Sequence, residues 1–290
     1  MRLGSAALLV LVTCVALPAA KSEAAGIRVA GEFALAGASA KAGATMLVVP
    51  TGPLSANLDL WETAHGATIR DYALDMTKRL HMIVVSDDFT SFQHVHPKLG
   101  ANGHFTIALR VPKPARYYVF ADADPAGAGK QVFRFPVLFG RAPPATAAIG
   151  PASSSAAAGP YLVTLSSLNL RAAGPTDLGV RITKGGSLAT DLRPYLGAAA
   201  HAVFVNVATL DYVHVHPMTG ASTAPAMGGM DGMDMPGMAA PAMTSLPDNA
   251  KVPGSMTLHV SRVPAGTYKL WLQFRGGDGL QTAAFVLRTS

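Results

Sequence analysis

Short apolar stretches of strand length recur along the chain, and turn-forming residues separate them. HFTIALRV over 104–111 alternates, with Phe105, Ile107, Leu109 and Val111 on one face. ATMLVVP, LHMIVVS and HAVFVNV are continuous apolar runs rich in Val, which is typical of buried strands. No stretch keeps the 3.6-residue spacing of a helix over several turns. The pattern therefore predicts an all-β protein.

The chain contains an internal repeat. FQHVHP at 92–97 returns as YVHVHP at 212–217, an offset of 120, and residues 56–97 align with 176–217 without a gap. Further on, Arg-Val-Pro at 110–112 returns at 262–264, where the offset is 152. The second copy thus carries an insertion of 32 residues after its HVHP sequence.

A repeat of this size, made of short strands, predicts two tandem β-sandwich domains of immunoglobulin-like or cupredoxin-like size. The first is expected over 26–140 and the second over 160–290, with the methionine-rich insertion within 218–252. Residues 141–159 are rich in Ala, Pro, Ser and Gly and are predicted to be a linker.

Residues 1–25 resemble a secretory signal peptide, because a positive end precedes an apolar run of 12 residues and then small residues. The run is shorter than the roughly 20 residues of a membrane span, so no stable membrane insertion is expected after its removal. The predicted location is periplasmic or extracellular. The only cysteine, Cys14, lies inside this segment, so the mature chain is expected to have no disulfide and no thiolate ligand.

Composition favours a folded chain and disfavours one class of partner. Half of the 290 residues are hydrophobic and 14% are charged, which permits a large core. The net charge of +6 is spread along the chain with no basic stripe, so nucleic-acid binding is not predicted.

Six of the nine histidines fall into the repeated pattern. His94 and His96 alternate within one strand, so their side chains point the same way. If the hairpin folds at its SDDFTS turn, Ile83 stands opposite His94 and His81 stands opposite His96, on one face. Imidazole nitrogen suits copper, zinc and nickel. The predicted ligands form two triads: His81, His94 and His96, then His201, His214 and His216.

The remaining histidines give weaker signals. His104 aligns with Met256 of the second repeat, and either could add a fourth ligand, although the strand alternation places each awkwardly for that role. His65 and His259 are expected to face solvent. A structural role for all the histidines is the alternative to metal binding.

The insertion contains seven of the twelve methionines among Gly, Pro and Ala. Soft thioethers select Cu(I), and they persist in an oxidising compartment. A thioether does not titrate, so its Cu(I) binding should persist at mildly acidic pH, whereas imidazole binding should weaken near the ordinary pKa of about 6.5. A simple spacer and an adaptable apolar surface are the alternatives. The predicted sulfur ligands are Met227, Met230, Met233, Met235 and Met238.

Two strings carry a resemblance to known proteins. LHMIVVSDDFTSFQHVHP and HAVFVNVATLDYVHVHP resemble bacterial secreted proteins described as heavy-metal-binding or uncharacterised, over most of both repeats. The Met-Asp-Met-Pro-Gly-Met tract resembles those of periplasmic copper-resistance proteins, over the insertion alone. This second resemblance implies copper. A blue-copper site is not expected, because such a site needs a cysteine ligand.

The sequence thus predicts a secreted protein that binds copper, as Cu(I) or Cu(II), for storage, buffering or delivery, with zinc as the alternative metal. A copper transporter or an oxidase would be its protein partner. The alternative is a non-catalytic β-sandwich interaction module with structural histidines. An enzyme is not expected, because the chain has no nucleophile motif, no phosphate loop and no carboxylate adjoining HVHP as a general base.

Overall fold

The computed structural model of the protein describes residues 26–141, 145–218, 245–277 and 279–290. These residues form 21 strands and no helix, so the predicted all-β class is confirmed. The strands of the first half are β1 (Ile27–Ala30), β2 (Glu32–Phe33), β3 (Gly43–Gly52), β4 (Ser55–Ala64), β5 (Ala67–Thr68), β6 (Leu80–Ser86), β7 (Phe92–Val95), β8 (Lys98–Leu99), β9 (Phe105–Arg110), β10 (Ala115–Ala123) and β11 (Gln131–Phe139). Those of the second half are β12 (Ser155–Ala158), β13 (Tyr161–Leu165), β14 (Asn169–Leu170), β15 (Thr176–Lys184), β16 (Ser187–Leu188), β17 (His201–Asn206), β18 (Tyr212–Val215), β19 (Ser255–Val260), β20 (Thr267–Gly276) and β21 (Gly279–Thr289).

Each half contains two sheets with related strand orders. One sheet of the first half runs β2-β11-β10-β6-β7, and its counterpart in the second half runs β14-β21-β20-β17-β18. We call these the inner sheets. The outer sheets are β1-β3-β4-β9-β8, with β5 on β4, and β12-β13-β15-β16, with β19 on β15. One edge differs, since β2 pairs antiparallel with β11 whereas β14 pairs parallel with β21.

Within each half, apolar side chains of the outer and inner sheets pack into one core. Met46 and Leu60 of the outer sheet meet Val84 and Val119 of the inner sheet in the first half. An equivalent core in the second half joins Leu178, Ile182 and Leu258 to Phe204, Leu270 and Leu272. Burial of such side chains, at about 1.5–3 kcal/mol each, is what closes each sandwich.

The central strands of the inner sheets are buried on both faces. In β6, Leu80, Met82 and Val84 point into the core of the first half. The alternate residues, Ile83 and Val85, belong instead to a third apolar cluster that also contains side chains from β17 and β20. Burial on both sides favours apolar residues on both faces of the strand, which accounts for the run Met82–Val85 within β6. The two inner sheets therefore pack face to face.

Two stacked aromatic pairs join the inner sheets. Phe92 stacks on Trp271 with ring centroids 4.9 Å apart, and Phe120 stacks on Tyr212 at 5.2 Å. Such pairs contribute about 0.5–1.5 kcal/mol each beyond their buried area. Phe92 and Tyr212 are repeat equivalents, so the two contacts are related by the repeat. They fix how the two halves sit against each other.

The segment predicted as a linker is partly ordered by these contacts. Ile149 packs against the apolar cluster between the inner sheets, and its carbonyl accepts a hydrogen bond from Lys269 Nζ at 2.7 Å. β12 begins at Ser155, inside the predicted linker, where the Ala-rich chain pairs with β13 and the Ser155 hydroxyl contacts the Thr164 hydroxyl at 3.1 Å. The second half thus starts earlier than residue 160.

Replacing Trp271 by Ala should lower the free energy of unfolding by about 3–5 kcal/mol, because this ring is 4% exposed and its removal leaves a cavity between the inner sheets. Urea unfolding followed by circular dichroism measures the loss. Trp61→Ala is the matched control, since that ring is half-buried on an outer sheet, and about 1 kcal/mol is expected. Equal losses in the two variants would contradict a stabilising interface.

Candidate metal centre

The first histidine of each triad follows a tight turn of the same kind. The turn over 75–78 precedes β6 and the turn over 195–198 precedes β17, and each is closed by a backbone hydrogen bond of 2.8 Å. The second residue of each turn, Met76 or Leu196, has a positive φ, of 56° and 52°. Such a backbone costs a non-glycine residue about 1–3 kcal/mol. This strained geometry directs the carbonyl of each turn's first residue at the histidine.

The other histidines lie on the hairpin that follows. Ile83 is opposite His94 and Val203 is opposite His214, so the predicted register is confirmed in both repeats. His96 and His216 come two residues later, just beyond the ends of β7 and β18. Side chains two residues apart share a side of the strand, which brings each of these rings back to the same patch.

Within each half, three ring nitrogens converge. In the N-terminal triad (His81, His94 and His96), His94 Nε2 lies 2.9 Å from His81 Nδ1 and 3.2 Å from His96 Nε2. In the C-terminal triad (His201, His214 and His216), His201 Nδ1 lies 3.1 Å from both His214 Nε2 and His216 Nε2. Nitrogen ligands that lie 2 Å from a tetrahedral metal ion are separated from one another by about 3.3 Å. These contacts suit a small metal ion, and the ligand atoms of the C-terminal triad all lie within 4.8 Å of one another.

The two triads also lie against each other, which the sequence did not predict. The ring centroids of His81 and His214 are 5.0 Å apart, and those of His94 and His201 are 5.3 Å apart. Ligand atoms of His81, His94 and His201 all lie within 4.8 Å of one another. The six imidazoles therefore form one cluster between the inner sheets.

The second nitrogen of four rings lies within hydrogen-bond distance of an oxygen acceptor. His81 Nε2 faces the Asp75 carbonyl at 3.2 Å, and His201 Nε2 faces the Tyr195 carbonyl at 2.9 Å. A carbonyl oxygen requires the ring nitrogen to carry the proton, so the other nitrogen, Nδ1, presents a bare lone pair to the cluster.

The same holds for the rings on the hairpins. His94 Nδ1 donates to Gln273 Oε1 at 2.9 Å, and His214 Nδ1 donates to Asp122 Oδ2 at 3.1 Å. Their Nε2 atoms are thus also unprotonated where they meet the neighbouring rings. Lone pairs about 3 Å apart repel unless a cation lies between them, and this second-nitrogen anchoring is typical of metal-bound histidine. The residues of both triads fit a bound metal ion.

The anchoring groups cross from one half to the other. Asp122 of β10 is opposite His81 of its own half, yet it binds His214 of the second half. Gln273 of β20 holds the equivalent position, opposite His201, and it binds His94 of the first half. Each triad is therefore completed by the other half of the chain.

The two anchors differ in charge, so the triads are not equivalent. Asp122 has a buried side chain whose carboxylate also accepts from Tyr212 Oη at 3.2 Å and contacts Lys130 Nζ at 3.3 Å. Burial raises the pKa of Asp122, whereas Lys130 acts in the opposite direction. Lys130 also contacts Asp75, 3.2 Å away. Burial acts to raise the pKa of Asp75, but Lys130 and His216 outweigh it, so the pKa is lowered. The acidic groups thus adjoin the C-terminal triad.

Burial lowers the pKa of five imidazoles, those of His94, His96, His201, His214 and His216, and so keeps them neutral. It lowers the pKa of His94 to about 2, with the neighbouring rings adding to the shift, and that of His96 to about 3. It lowers the pKa of His216 to about 4 although Asp75 acts against it. The pKa values of His201 and His214 are lowered well below the ordinary value by burial and by His216. Neutral imidazole is the form that binds metal.

Other predicted residues lie elsewhere. The His104 ring stacks on Trp61 at 4.8 Å and bonds to Asp59 at 2.8 Å, while Met256 is buried in the core of the second half. Neither joins the cluster. His259 bonds to Asp177 on the surface. The predicted sulfur ligands, Met227, Met230, Met233, Met235 and Met238, lie outside the described residues, as does the predicted signal segment.

Sequence reasoning missed Asp75, Asp122 and Gln273. The available signal was a single polar residue within an apolar strand, as in YYVFADAD and LWLQF, where alternation puts Asp122 in line with Phe120 and Gln273 in line with Trp271. The expectation that no carboxylate adjoins the histidines is wrong, because β6 and β10 are neighbouring strands. Both carboxylates are engaged by Lys130 and the rings.

One comparison with known proteins matches the second half of the chain. Residues 155–290 match a family described as a domain of unknown function, DUF8832. The matched segment starts at the first residue of β12 and includes the whole C-terminal triad. No curated protein sequence matches the chain. The part of the chain that the structure describes has no helix long and apolar enough to cross a membrane.

Asp122→Asn should weaken Cu(II) binding at the C-terminal triad by about 10–100-fold, because an amide is a poorer partner than a carboxylate for the N–H of a metal-bound imidazole. The N-terminal triad, anchored by Gln273, should keep its affinity. Competition titration with a chelator resolves the two. Asp59→Asn, at the carboxylate that binds His104, is the matched control. If Asp122→Asn leaves the affinity of the C-terminal triad unchanged, as Asp59→Asn is expected to do, then Asp122 does not anchor a metal-bound His214.

The metal-free protein should lose stability as the pH falls from about 6.5 to 5. Histidines of the unfolded chain take up protons near pH 6.5, whereas rings with folded pKa values of about 2 to 4 stay neutral, so protons favour unfolding. Below pH 6.5, each such ring lowers the free energy of unfolding by about 1.4 kcal/mol for every pH unit by which the pH falls. Thermal or urea unfolding between pH 7.5 and 5 measures the slope. His96→Gln should reduce the slope and the surface variant His259→Ala should not; a flat profile in the parent protein would contradict neutral rings.

Proposed function

We propose that this protein binds copper in the periplasm or outside the cell and serves its storage, buffering or delivery. The observation that carries the proposal is the convergence of two histidine triads whose second nitrogens are anchored by hydrogen-bond acceptors. A structural role alone does not account for this arrangement. Structural histidines are satisfied by pairing a donor with an acceptor, whereas here unprotonated nitrogens face each other.

Imidazole ligands alone are compatible with zinc, so the choice of copper needs a second argument. Thioether sulfur distinguishes Cu(I) from zinc, and the methionine-rich insertion begins two residues after His216. Both described ends of the insertion are bound beside the C-terminal triad. Met218 exchanges backbone hydrogen bonds with Thr257, and Leu246 N donates to the carbonyl of Gly197, within the turn that precedes His201. The described residues that flank the insertion thus lie beside the C-terminal triad.

The route of the metal follows from burial. His81 and His201 are fully buried, whereas His96 and His216 are the partly exposed members of their triads. Copper therefore reaches the cluster from the side of His96 and His216, where the insertion starts. We infer that the insertion captures Cu(I) through methionine sulfur and passes it to the imidazoles. A copper transporter or an oxidase that accepts or supplies copper is the partner this function implies.

The competing function is a non-catalytic interaction module with structural histidines, and a titration separates the two. The purified full-length chain is titrated with Cu(I), Cu(II) and Zn(II), and the bound equivalents per chain are counted. Cu(II) is expected to fill the triads, and Cu(I) to bind in additional equivalents through the insertion. An interaction module would bind none of the three above background.

Deleting residues 221–247 should remove the additional Cu(I) equivalents and leave Cu(II) binding intact, because the thioethers select the reduced ion. The measurement is repeated at pH 5, where sulfur ligands do not titrate and the lowered pKa values of His96 and His216 keep those rings neutral. Cu(II) is therefore expected to be retained at this pH, which replaces the expectation from sequence that imidazole binding weakens near the ordinary pKa of about 6.5. A matched chain in which the five central methionines are replaced by Leu separates loss of sulfur from loss of length. If neither change alters Cu(I) binding, the insertion is a spacer.

A further inference from the structure

Six imidazoles are more donors than one copper ion uses. Copper(II) in proteins typically takes about four ligands in a tetragonal arrangement. The shortest nitrogen–nitrogen contacts fall within the triads instead, at 2.9 and 3.2 Å around His94 and at 3.1 Å twice around His201. Each triad belongs to one hairpin, so this division follows the repeat. The cluster is therefore organised for two ions, with three nitrogens for each.

The two triads are close enough for ions bound to them to interact. Rings of opposite triads approach to centroid distances of 5.0–5.7 Å, and ligand atoms of His81, His94 and His201 lie within 4.8 Å of one another. In centres where two ions act together, the ions are about 3.5–4 Å apart. Ions held by triads at this separation would be near neighbours.

Two neighbouring cations repel each other, so something must offset their charge. Asp75 and Asp122 supply two carboxylates beside the C-terminal triad, but Lys130 contacts both, at 3.2 and 3.3 Å. Anionic side chains of the cluster thus compensate only part of the charge of two metal ions. Three nitrogens also leave an open coordination position on each ion. An anion that fills both open positions would lower the repulsion and complete both ligand sets.

We propose that the two triads form one dinuclear copper centre in which a single-oxygen anion, a hydroxide, bridges two Cu(II) ions. This inference rests on the proposed copper binding. A water molecule supplies the bridge: it forms a bond from its oxygen to each copper and releases one proton to solvent, with no change in the oxidation state of either ion. The ligand class that the centre accepts is therefore a small oxygen donor that fits between two ions.

Electron paramagnetic resonance of the full-length chain loaded with Cu(II) tests the proposal, because a bridging oxygen couples the unpaired electrons of two Cu(II) ions and removes their signal. Cu(II) is the probe because thioethers select Cu(I), so the methionines do not contribute. We expect two bound Cu(II) per chain and an integrated signal below about one tenth of the bound copper. His96→Ala or His216→Ala should each leave one bound copper with its full signal restored. The surface variant His259→Ala should behave like the parent protein.

Each of the other outcomes contradicts one part of the proposal. Two bound Cu(II) with the full signal of two ions would refute the bridge, and one bound Cu(II) with full signal would refute the dinuclear centre while leaving copper binding intact. No bound copper would refute the proposed function as well. His96→Gln and His216→Gln keep the side-chain volume, and circular dichroism of every variant excludes misfolding as the cause of a loss.

Discussion

The crossed hydrogen bonds between the two halves are the interaction on which this structure depends. Asp122 fixes the ring of His214, and Gln273 fixes that of His94, each across the interface between the inner sheets. These bonds determine which nitrogen of the His94 and His214 rings carries the proton, and so direct one unprotonated nitrogen of each triad at the cluster. Without the partner half, each triad would lose the group that sets one of its tautomers. Metal binding and the association of the halves are therefore physically linked.

The packing of the two inner sheets against each other also explains the composition of their central strands. An inner sheet that packs against its own outer sheet on one face and against the other inner sheet on the opposite face has no position for an exposed polar residue. The buried polar side chains that surround the histidines lie together at one end of the interface, and there they are hydrogen-bonded to one another. Leaving such groups unpaired costs about 1–3 kcal/mol each, which disfavours any arrangement of the halves that separates the rings from their anchors.

Much of the fold and part of the site follow from sequence. The all-β class, the hairpin register and the convergence of each triad depend on local alternation and on a short turn, which the sequence records directly. The joining of the two triads depends on how one half sits on the other, and a repeat offset of 120 carries no information on that orientation. The roles of Asp122 and Gln273 could not be predicted for the same reason, because the histidine that each of them binds lies in the other half. β12 was missed because Ala-rich chain has little strand propensity and pairs only as an edge.

The central claim is that the six imidazoles bind two copper ions in one centre. Anomalous diffraction at the copper edge from crystals of the copper-loaded full-length protein tests it most directly. We expect two anomalous peaks between the inner sheets, each about 2 Å from three imidazole nitrogens of one triad. Copper bound elsewhere, or a crystal soaked with copper that shows no peak among His81, His94, His96, His201, His214 and His216, would contradict it.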